Sequence, residues 1–63
     1  MSMNMRKKIR VFIVDDHQLL VSSMKLLLQR THKVNIVGVA YSGMQFLKIY
    51  KQAKPDIILM DVQ

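Results

Sequence analysis

The amino-acid sequence predicts an α/β fold built on a small parallel sheet. Two apolar runs, residues 11–14 and residues 57–60, are each followed directly by an aspartate, and uninterrupted apolar runs are typical of strands that are buried on both faces. Stretches with helical periodicity separate the candidate strands, and a connection of helical length between two strands produces parallel pairing. The expected element order is therefore β-α-β-α-β, and an acid marks the carboxyl end of two of the strands.

The first half of the chain is expected to supply the central strand and one helix. Residues 1–8 form a frayed, basic start, and residues 9–14 form the first strand. Asp16 or His17 can accept a hydrogen bond from the free N–H groups at the start of a helix over residues 18–30. Apolar residues at i, i+4, i+7 and i+8 define the expected inner face of that helix: Leu20, Met24, Leu27 and Leu28.

The second half is expected to supply two more strands and a second helix. Residues 34–39 are less apolar than the first strand, which favours a position nearer an edge of the sheet. Ser42 is a suitable N-cap for the second helix, and Pro55 ends it near residues 52–53 because the residue before a proline avoids helical geometry. Residues 57–60 form the third strand. The expected inner side of the second helix carries Phe46, Leu47 and Tyr50.

Three carboxylates are expected to converge at one edge of this sheet. The two acid-ending strands are neighbours, roughly 5 Å apart, only if the strand order is 2-1-3. Asp15, Asp16 and Asp61 then lie at the carboxyl ends, where open α/β sheets bind ligands. Packed carboxylates need a cation to relieve their repulsion, and oxygen ligands suit Mg²⁺. A carboxylate beside Mg²⁺ can accept a phosphoryl group. The alternative is that these acids only cap helices and turns.

Three segments carry a resemblance to a known family. Residues 13–17 (IVDDH), residues 38–43 (GVAYSG) and residues 54–62 (KPDIILMDV) together resemble the first half of a response-regulator receiver domain. The resemblance covers residues 9–63 and implies a doubly wound, flavodoxin-like sheet of order 2-1-3-4-5. This chain is expected to hold the 2-1-3 part and to be truncated after the third strand. The Asp-Asp-His and Gly-x-Ala-x-x-Gly patterns are similar to the subfamily with a LuxR-type helix-turn-helix output domain.

The resemblance also implies roles for individual residues. Asp61 would be the phosphoacceptor, phosphorylated by a sensor histidine kinase to control an output such as transcription. Asp16 would bind Mg²⁺ directly, and Asp15 would act beside it through water. Asp61 and the backbone carbonyl of Gln63 would be further metal ligands. The chain would be a signalling domain and not an enzyme. DNA binding would belong to an output domain outside this chain.

Other function classes are less favoured by the composition. The net charge of +6 invites a nucleic-acid-binding function, but only Arg6, Lys7, Lys8 and Arg10 are clustered in the sequence. A phosphatase with an aspartyl nucleophile usually has Asp-x-Asp after its first strand, whereas the acids here are adjacent. The short apolar runs exclude a membrane span, no signal-peptide core follows the basic start, and a cytoplasmic location is expected.

The third strand is expected to need a partner. In the order 2-1-3 it lies at an edge, although residues 57–60 contain no charge or proline to protect them. We therefore expect self-association or association with a missing C-terminal half. His17 is expected to serve mainly as a helix start, and Asp56 is expected in a turn remote from the other acids.

Overall fold

The three strands form one parallel sheet with a helix in each connection. The computed structural model describes residues 8–61. Its elements are β1 (Ile9–Asp15), α1 (Gln18–Gln29), β2 (Val34–Ala40), α2 (Gly43–Ala53) and β3 (Ile57–Asp61). The sheet order is β2-β1-β3, and both pairs are parallel. This confirms the predicted α/β class and the predicted 2-1-3 order.

Two of the predictions fall outside the described part of the chain. The frayed start was placed at residues 1–8, of which the structure describes only Lys8, and the carbonyl ligand was placed at Gln63. Within residues 8–61, neither helix has the length and apolar character needed to cross a membrane.

β1 supplies the core on both faces of the sheet. Its side chains alternate: Phe12 and Val14 pack with Phe46 of α2, whereas Val11 and Ile13 pack with Val21 of α1. All of these side chains are buried, and the Phe12 and Phe46 rings meet edge to face with centroids 5.1 Å apart. The uninterrupted apolar sequence of residues 11–14 in β1 therefore follows from having one helix on each face of the strand.

The inner faces of the helices differ in part from the prediction. In α1 the buried residue is Val21, and Met24 and Leu28 pack beside it, whereas Leu20 and Leu27 are exposed. Met24 and Leu28 confirm two members of the predicted stripe, whereas Leu20 and Leu27 do not. The prediction missed Val21, which lies about 100° around the helix from Leu20. In α2, Phe46 is buried and Tyr50 and Ala53 pack against the same cluster, but Leu47 is exposed.

The helix caps explain where each helix starts. Ser42 caps α2 as predicted, because its hydroxyl accepts a hydrogen bond from the Gln45 N–H at 3.2 Å. The Gln45 side chain accepts in turn from the N–H of Tyr41, the residue before the N-cap, at 2.8 Å, in a variant of the capping box. His17 is the N-cap of α1, but it makes no side-chain cap bond. The prediction of His17 at the N-cap position is therefore confirmed, whereas the predicted hydrogen bond from its side chain is wrong.

Arg10 ties the beginning of β1 to the connection between α2 and β3. Its guanidinium donates to the carbonyl oxygens of Ala53 and Lys54, at the C-terminus of α2 where carbonyl groups lack helical partners. Its backbone N–H donates to the Asp56 carboxylate at 2.9 Å, and the Asp56 N–H donates back to the Arg10 carbonyl at 2.8 Å. Asp56 thus lies in a turn at the amino end of β3, about 16 Å along the strand from Asp61. The prediction that Asp56 is remote from the other acids is confirmed.

Candidate functional site

Asp15 and Asp61 lie side by side because β1 and β3 are paired in register. Each is the last residue of its strand, and the two are direct partners across the parallel pair. Asp16 follows immediately after β1 and is exposed. The structure therefore brings the three predicted acids to the carboxyl edge of the sheet, at the point where the chain changes its winding direction.

Asp15 is the buried member of the group and is held by the backbone that follows it. Its side chain accepts a hydrogen bond from the His17 N–H at 2.9 Å, and its Oδ1 lies 3.0 Å from His17 Nδ1. The hydrogen bond from the His17 backbone is the main reason that the pKa of Asp15 is lowered, although burial opposes this effect. Asp15 is therefore a preorganised negative charge.

His17 bridges the two adjacent acids. Its Nδ1 also lies 2.9 Å from Asp16 Oδ1, so one ring nitrogen faces both carboxylates. The side-chain hydrogen bond to Asp15 raises the pKa of His17, and the negative charges of Asp16, Asp15 and Asp61 add to that effect. Burial opposes this change only weakly, since 59% of the side chain is exposed. The neighbouring carboxylates thus favour the protonated form of the His17 ring.

The participation of His17 was underestimated from the sequence. We expected this residue mainly to start a helix, yet its ring contacts both acids. The available signal was the spacing Asp15 to His17: an aspartate often accepts from the backbone N–H two residues later, in an Asx turn. Such a turn brings the side chain of the third residue back toward the aspartate.

Asp61 lies beside this cluster but not inside it. Within residues 8–61, one group of side chains could place its ligand atoms close enough for a single metal ion, all within 4.8 Å of one another: Asp15, Asp16 and His17. Asp61 instead lines two open cavities next to the cluster. One, of about 440 Å³, is shared with His17 and Leu20, and the other, of about 240 Å³, is shared with Asp15 and Leu20. The Asp61 carboxylate is therefore exposed, close to the other acids, and accessible from solvent.

The donor atoms fit a hard divalent cation. Two carboxylates at adjacent positions offer oxygen ligands, and Mg²⁺ is commonly bound by one or two carboxylates with water completing its shell. Cysteine is absent, and a single histidine is a poor basis for a zinc site. The position now taken by the His17 ring nitrogen, within 3.0 Å of both carboxylates, is one that a cation favours.

Comparison with known proteins identifies the family. Residues 11–63 match the response regulator receiver domain. The chain belongs to this family. Similar proteins include "Response regulator GacA" of Pseudomonas viridiflava, which is 42% identical over 55 residues that cover 87% of this chain and 26% of that protein. "Transcriptional regulatory protein YdfI" of Bacillus subtilis is 38% identical over 53 residues, covering 84% of this chain and 25% of that protein.

A third relative has a different output. "Protein-glutamate methylesterase/protein-glutamine glutaminase 1" of Geobacter sulfurreducens is 32% identical over 63 residues, covering all of this chain and 17% of that protein. The chain spans about a quarter or less of the length of these relatives. No solved structure matches the chain. Since similar sequences occur in a protein named a transcriptional regulator and in one named a methylesterase, the predicted LuxR-type output stays a prediction.

Proposed function

We propose that residues 9–63 form the N-terminal part of a receiver domain in which Asp61 accepts a phosphoryl group from a sensor histidine kinase. The observation that carries the proposal is the register between β1 and β3, which sets Asp61 beside the buried Asp15 at the carboxyl edge of the sheet. The phosphoryl donor is a phosphohistidine. In this transfer a P–O bond forms to the Asp61 carboxylate while the P–N bond to the donor breaks.

Asp61 is better suited to this role than either neighbouring acid. Asp15 is buried, and its carboxylate is occupied by hydrogen bonds from His17. Asp16 is exposed, but its Oδ1 is paired with the same ring. Asp61 is exposed at the end of its strand and opens onto a cavity of about 440 Å³. A large donor therefore reaches Asp61 without displacing the hydrogen bonds of the other acids.

Asp16 and Asp15 are the proposed Mg²⁺ ligands. Asp16, being exposed, would hold the ion directly, and Asp15, fixed by the His17 N–H, would act beside it. When bound, Mg²⁺ spreads the negative charge that builds up on the transferred phosphoryl group. The His17 ring must then leave the position between the two carboxylates, and its exposed side chain is free to rotate into solvent. The carbonyl of Gln63 remains a predicted further ligand.

The proposal also names the partners of the chain and the place where phosphoryl transfer to Asp61 occurs. The donor is a sensor histidine kinase, and the transfer takes place in the cytoplasm, where kinases have access to ATP. The receiver acts as a phosphorylated switch and not as an enzyme with turnover. The exposed strand β3 pairs either with a second copy of the chain or with the C-terminal half of a receiver domain.

Phosphorylation with a small phosphoramidate donor tests the assignment of Asp61. Mass spectrometry of the chain in the presence of Mg²⁺ should show slow addition of one phosphoryl group, which Asp61→Asn abolishes. Asp56→Asn is the matched control, since it removes the same charge from the other end of β3, and it should be labelled like the wild type. A label that persists in Asp61→Asn, or that disappears equally in Asp56→Asn, would contradict the proposal.

Calorimetric titration with Mg²⁺ tests the ligands separately. Weak binding is expected for the wild type, because few ligands are in place. Asp16→Ala should abolish binding, whereas Asp56→Ala should leave it unchanged. Equal losses in the two variants would show that Mg²⁺ responds only to the overall charge of the chain.

A further inference from the structure

The fold places three of the four acids at one end of the sheet and several basic residues at the opposite end. The acids at residues 15, 16 and 61 lie where the strands end. At the other end, where strands begin and helices terminate, the structure gathers basic residues that are far apart in the sequence. We name this surface the basic end and define it by five residues: Lys8, Arg10, Arg30, Lys33 and Lys54.

Backbone hydrogen bonds show that these residues are neighbours. The Ile9 N–H donates to the Lys33 carbonyl at 2.9 Å, so Lys8 and Lys33 enter the sheet next to each other. The Arg10 guanidinium donates to the Lys54 carbonyl at 2.9 Å, which joins the second pair. Arg30 is the C-cap of α1 and precedes Lys33 by three residues.

The turn that carries Arg30 and Lys33 has a defined shape. The Thr31 hydroxyl donates to the Leu28 carbonyl at 2.8 Å and accepts from the Lys33 N–H at 3.1 Å. His32 takes a left-handed backbone conformation with φ of 60°. The chain therefore leaves α1 in a fixed direction, and both basic residues remain exposed.

The positive charge at this end is only partly offset. Among the described residues one acid lies here, Asp56, and its carboxylate already accepts from the Arg10 N–H. The C-termini of α1 and α2 add about half a negative charge each. Five cations against these contributions leave a net charge of roughly +3. Lys8, Arg30, Lys33 and Lys54 are exposed and so are available to a partner.

We propose that the basic end binds the phosphate backbone of duplex nucleic acid. Its cations come from four segments that span the sheet and the helix on each of its faces, a width of roughly 20 Å. That width suits a row of phosphates better than one small anion. An anionic membrane is less favoured, because interfacial binding uses aromatic anchors, and the described aromatic residues are either packed around the sheet or, in Tyr41, beyond the carboxyl end of β2.

This inference is independent of phosphorylation, since the basic end is opposite to Asp61. It also revises the argument made from sequence, in which the basic residues seemed too dispersed to form a binding surface. Segments separated by more than 20 residues are brought together by the parallel topology, because the amino ends of all parallel strands share one edge.

Fluorescence anisotropy with a labelled DNA duplex of about 20 base pairs tests the proposal. At about 50 mM salt the wild-type chain should bind, and Lys33→Glu/Lys54→Glu should weaken the affinity about 10- to 100-fold. The matched control is Lys25→Glu/Lys48→Glu, which makes the same charge change in the middle of α1 and α2 and should cost less than about 3-fold. The slope of log affinity against log salt is negative. In the first variant it should become less negative by about 2.

Further measurements keep the outcome interpretable. Circular dichroism should show that both double variants are folded, and Lys33→Gln/Lys54→Gln provides a milder change at the same positions if the glutamates unfold the chain. Equal losses in the two double variants would overturn the proposal, because the total charge would then explain binding. Absence of DNA binding at low salt would also overturn it, as would binding only to phosphatidylserine vesicles or to an acidic peptide.

Discussion

β1 and β3 have nearly the same sequence pattern but very different environments. Each is an apolar run that ends in aspartate, and the two are paired along residues 57–61. Residues 11–15 of β1 are buried. In β3, by contrast, the four apolar residues are 39–50% exposed, and Asp61 is exposed as well. Among the described elements, β3 contacts only β1, while β1 contacts both other strands and both helices.

This difference shows that an apolar sequence pattern predicts a strand of a parallel sheet but does not predict whether the strand lies at the centre or at an edge. An apolar run is needed for burial on both faces, yet burial depends on what else packs there. β1 provides stability through its contacts with α1 and α2. β3 contributes little to the core and supplies the proposed phosphoacceptor, with an apolar edge that lacks the charge or proline that usually protects such a strand.

The largest expected effect is the difference between equivalent truncations in the two strands. Ile13 is fully buried and Ile58 is 42% exposed. Ile13→Ala should reduce the free energy of unfolding by about 2–5 kcal/mol, and Ile58→Ala by about 1 kcal/mol. Since a domain of this size has a total stability of roughly 3–9 kcal/mol, Ile13→Ala should unfold much of the chain. Urea denaturation followed by circular dichroism measures both losses.

A milder pair keeps this comparison measurable if Ile13→Ala does not fold. Ile13→Val should cost about 1 kcal/mol, and Ile58→Val should cost almost nothing. If the two strands lost equal stability in dilute solution, β3 would have to be covered by a partner, and the contrast between a buried and an exposed strand would not describe the protein in solution.

A second prediction concerns the close contact between β1 and β2. Along their pairing the register shifts between Val11 and Phe12, so that Phe12 lies opposite Gly38. A Cβ atom at Gly38 would lie 2.4 Å from Cε2 of the Phe12 ring. Gly38→Ala should therefore cost about 1–3 kcal/mol through displacement of that ring. Gly43→Ala is the control, because a Cβ there meets nothing within 4 Å; equal costs would show that the ring moves freely.

The third prediction tests whether β3 remains exposed. If two copies pair through their β3 strands, sedimentation at micromolar concentration should detect a dimer. Ile58→Lys places a charge in the middle of the edge and should weaken dimerisation at least about 10-fold, since charged side chains protect natural edges. Leu47→Lys is the control, because Leu47 is exposed on α2 away from β3. A monomer at every concentration would leave β3 exposed and contradict self-association.

Much of the fold and part of the site could be predicted because the relevant signals are local. Apolar runs and helical spacing predicted the order of the elements. The position of an acid at the end of two strands predicted that Asp15 and Asp61 lie close together. The helix faces were less certain because leucines are clustered at residues 19–20 and 26–28, so several stripes fit the same periodicity. Only packing against Val11 and Ile13 selects the stripe through Val21.

Contacts between distant segments left no local signal. Arg10 donates to carbonyl groups 43 and 44 residues away, and nothing near Arg10 in the sequence indicates that role. The gathering of cations at the basic end depends in the same way on the whole topology. The contacts of His17 could be predicted only in part. The Asx turn at Asp15 is local, but the contact with both acids depends on the orientation of the His17 ring, which the sequence does not indicate.

The smallest expected effect is on the pH dependence of stability, to which Asp15 at the end of β1 should contribute more than Asp61 at the end of β3. Asp15, after β1, is paired with His17, whose pKa is raised mainly by its hydrogen bond to Asp15. A raised pKa in the folded state stabilises the fold below the unfolded value of 6.5, and this contribution is lost as the pH rises through the folded pKa. The lowered pKa of Asp15 stabilises the fold above its unfolded value of 3.8, and this contribution is lost as the pH falls through the folded pKa.

The two opposite dependences predict a bell-shaped profile for this pair. With a chelator present, the difference in Tm between the wild type and His17→Ala should be largest between pH 3.8 and pH 6.5, and should decline on both sides. His32→Ala, which removes a histidine at the other end of the sheet, is the matched control. Asp61→Asn should retain the bell, because Asp61 makes only the smallest contribution to the raised pKa of His17. If the difference in Tm between the wild type and His17→Ala did not change with pH across this range, the His17 ring would not bridge Asp15 and Asp16 in solution. The acids after β1 would then be as free of side-chain contacts as Asp61 at the end of β3.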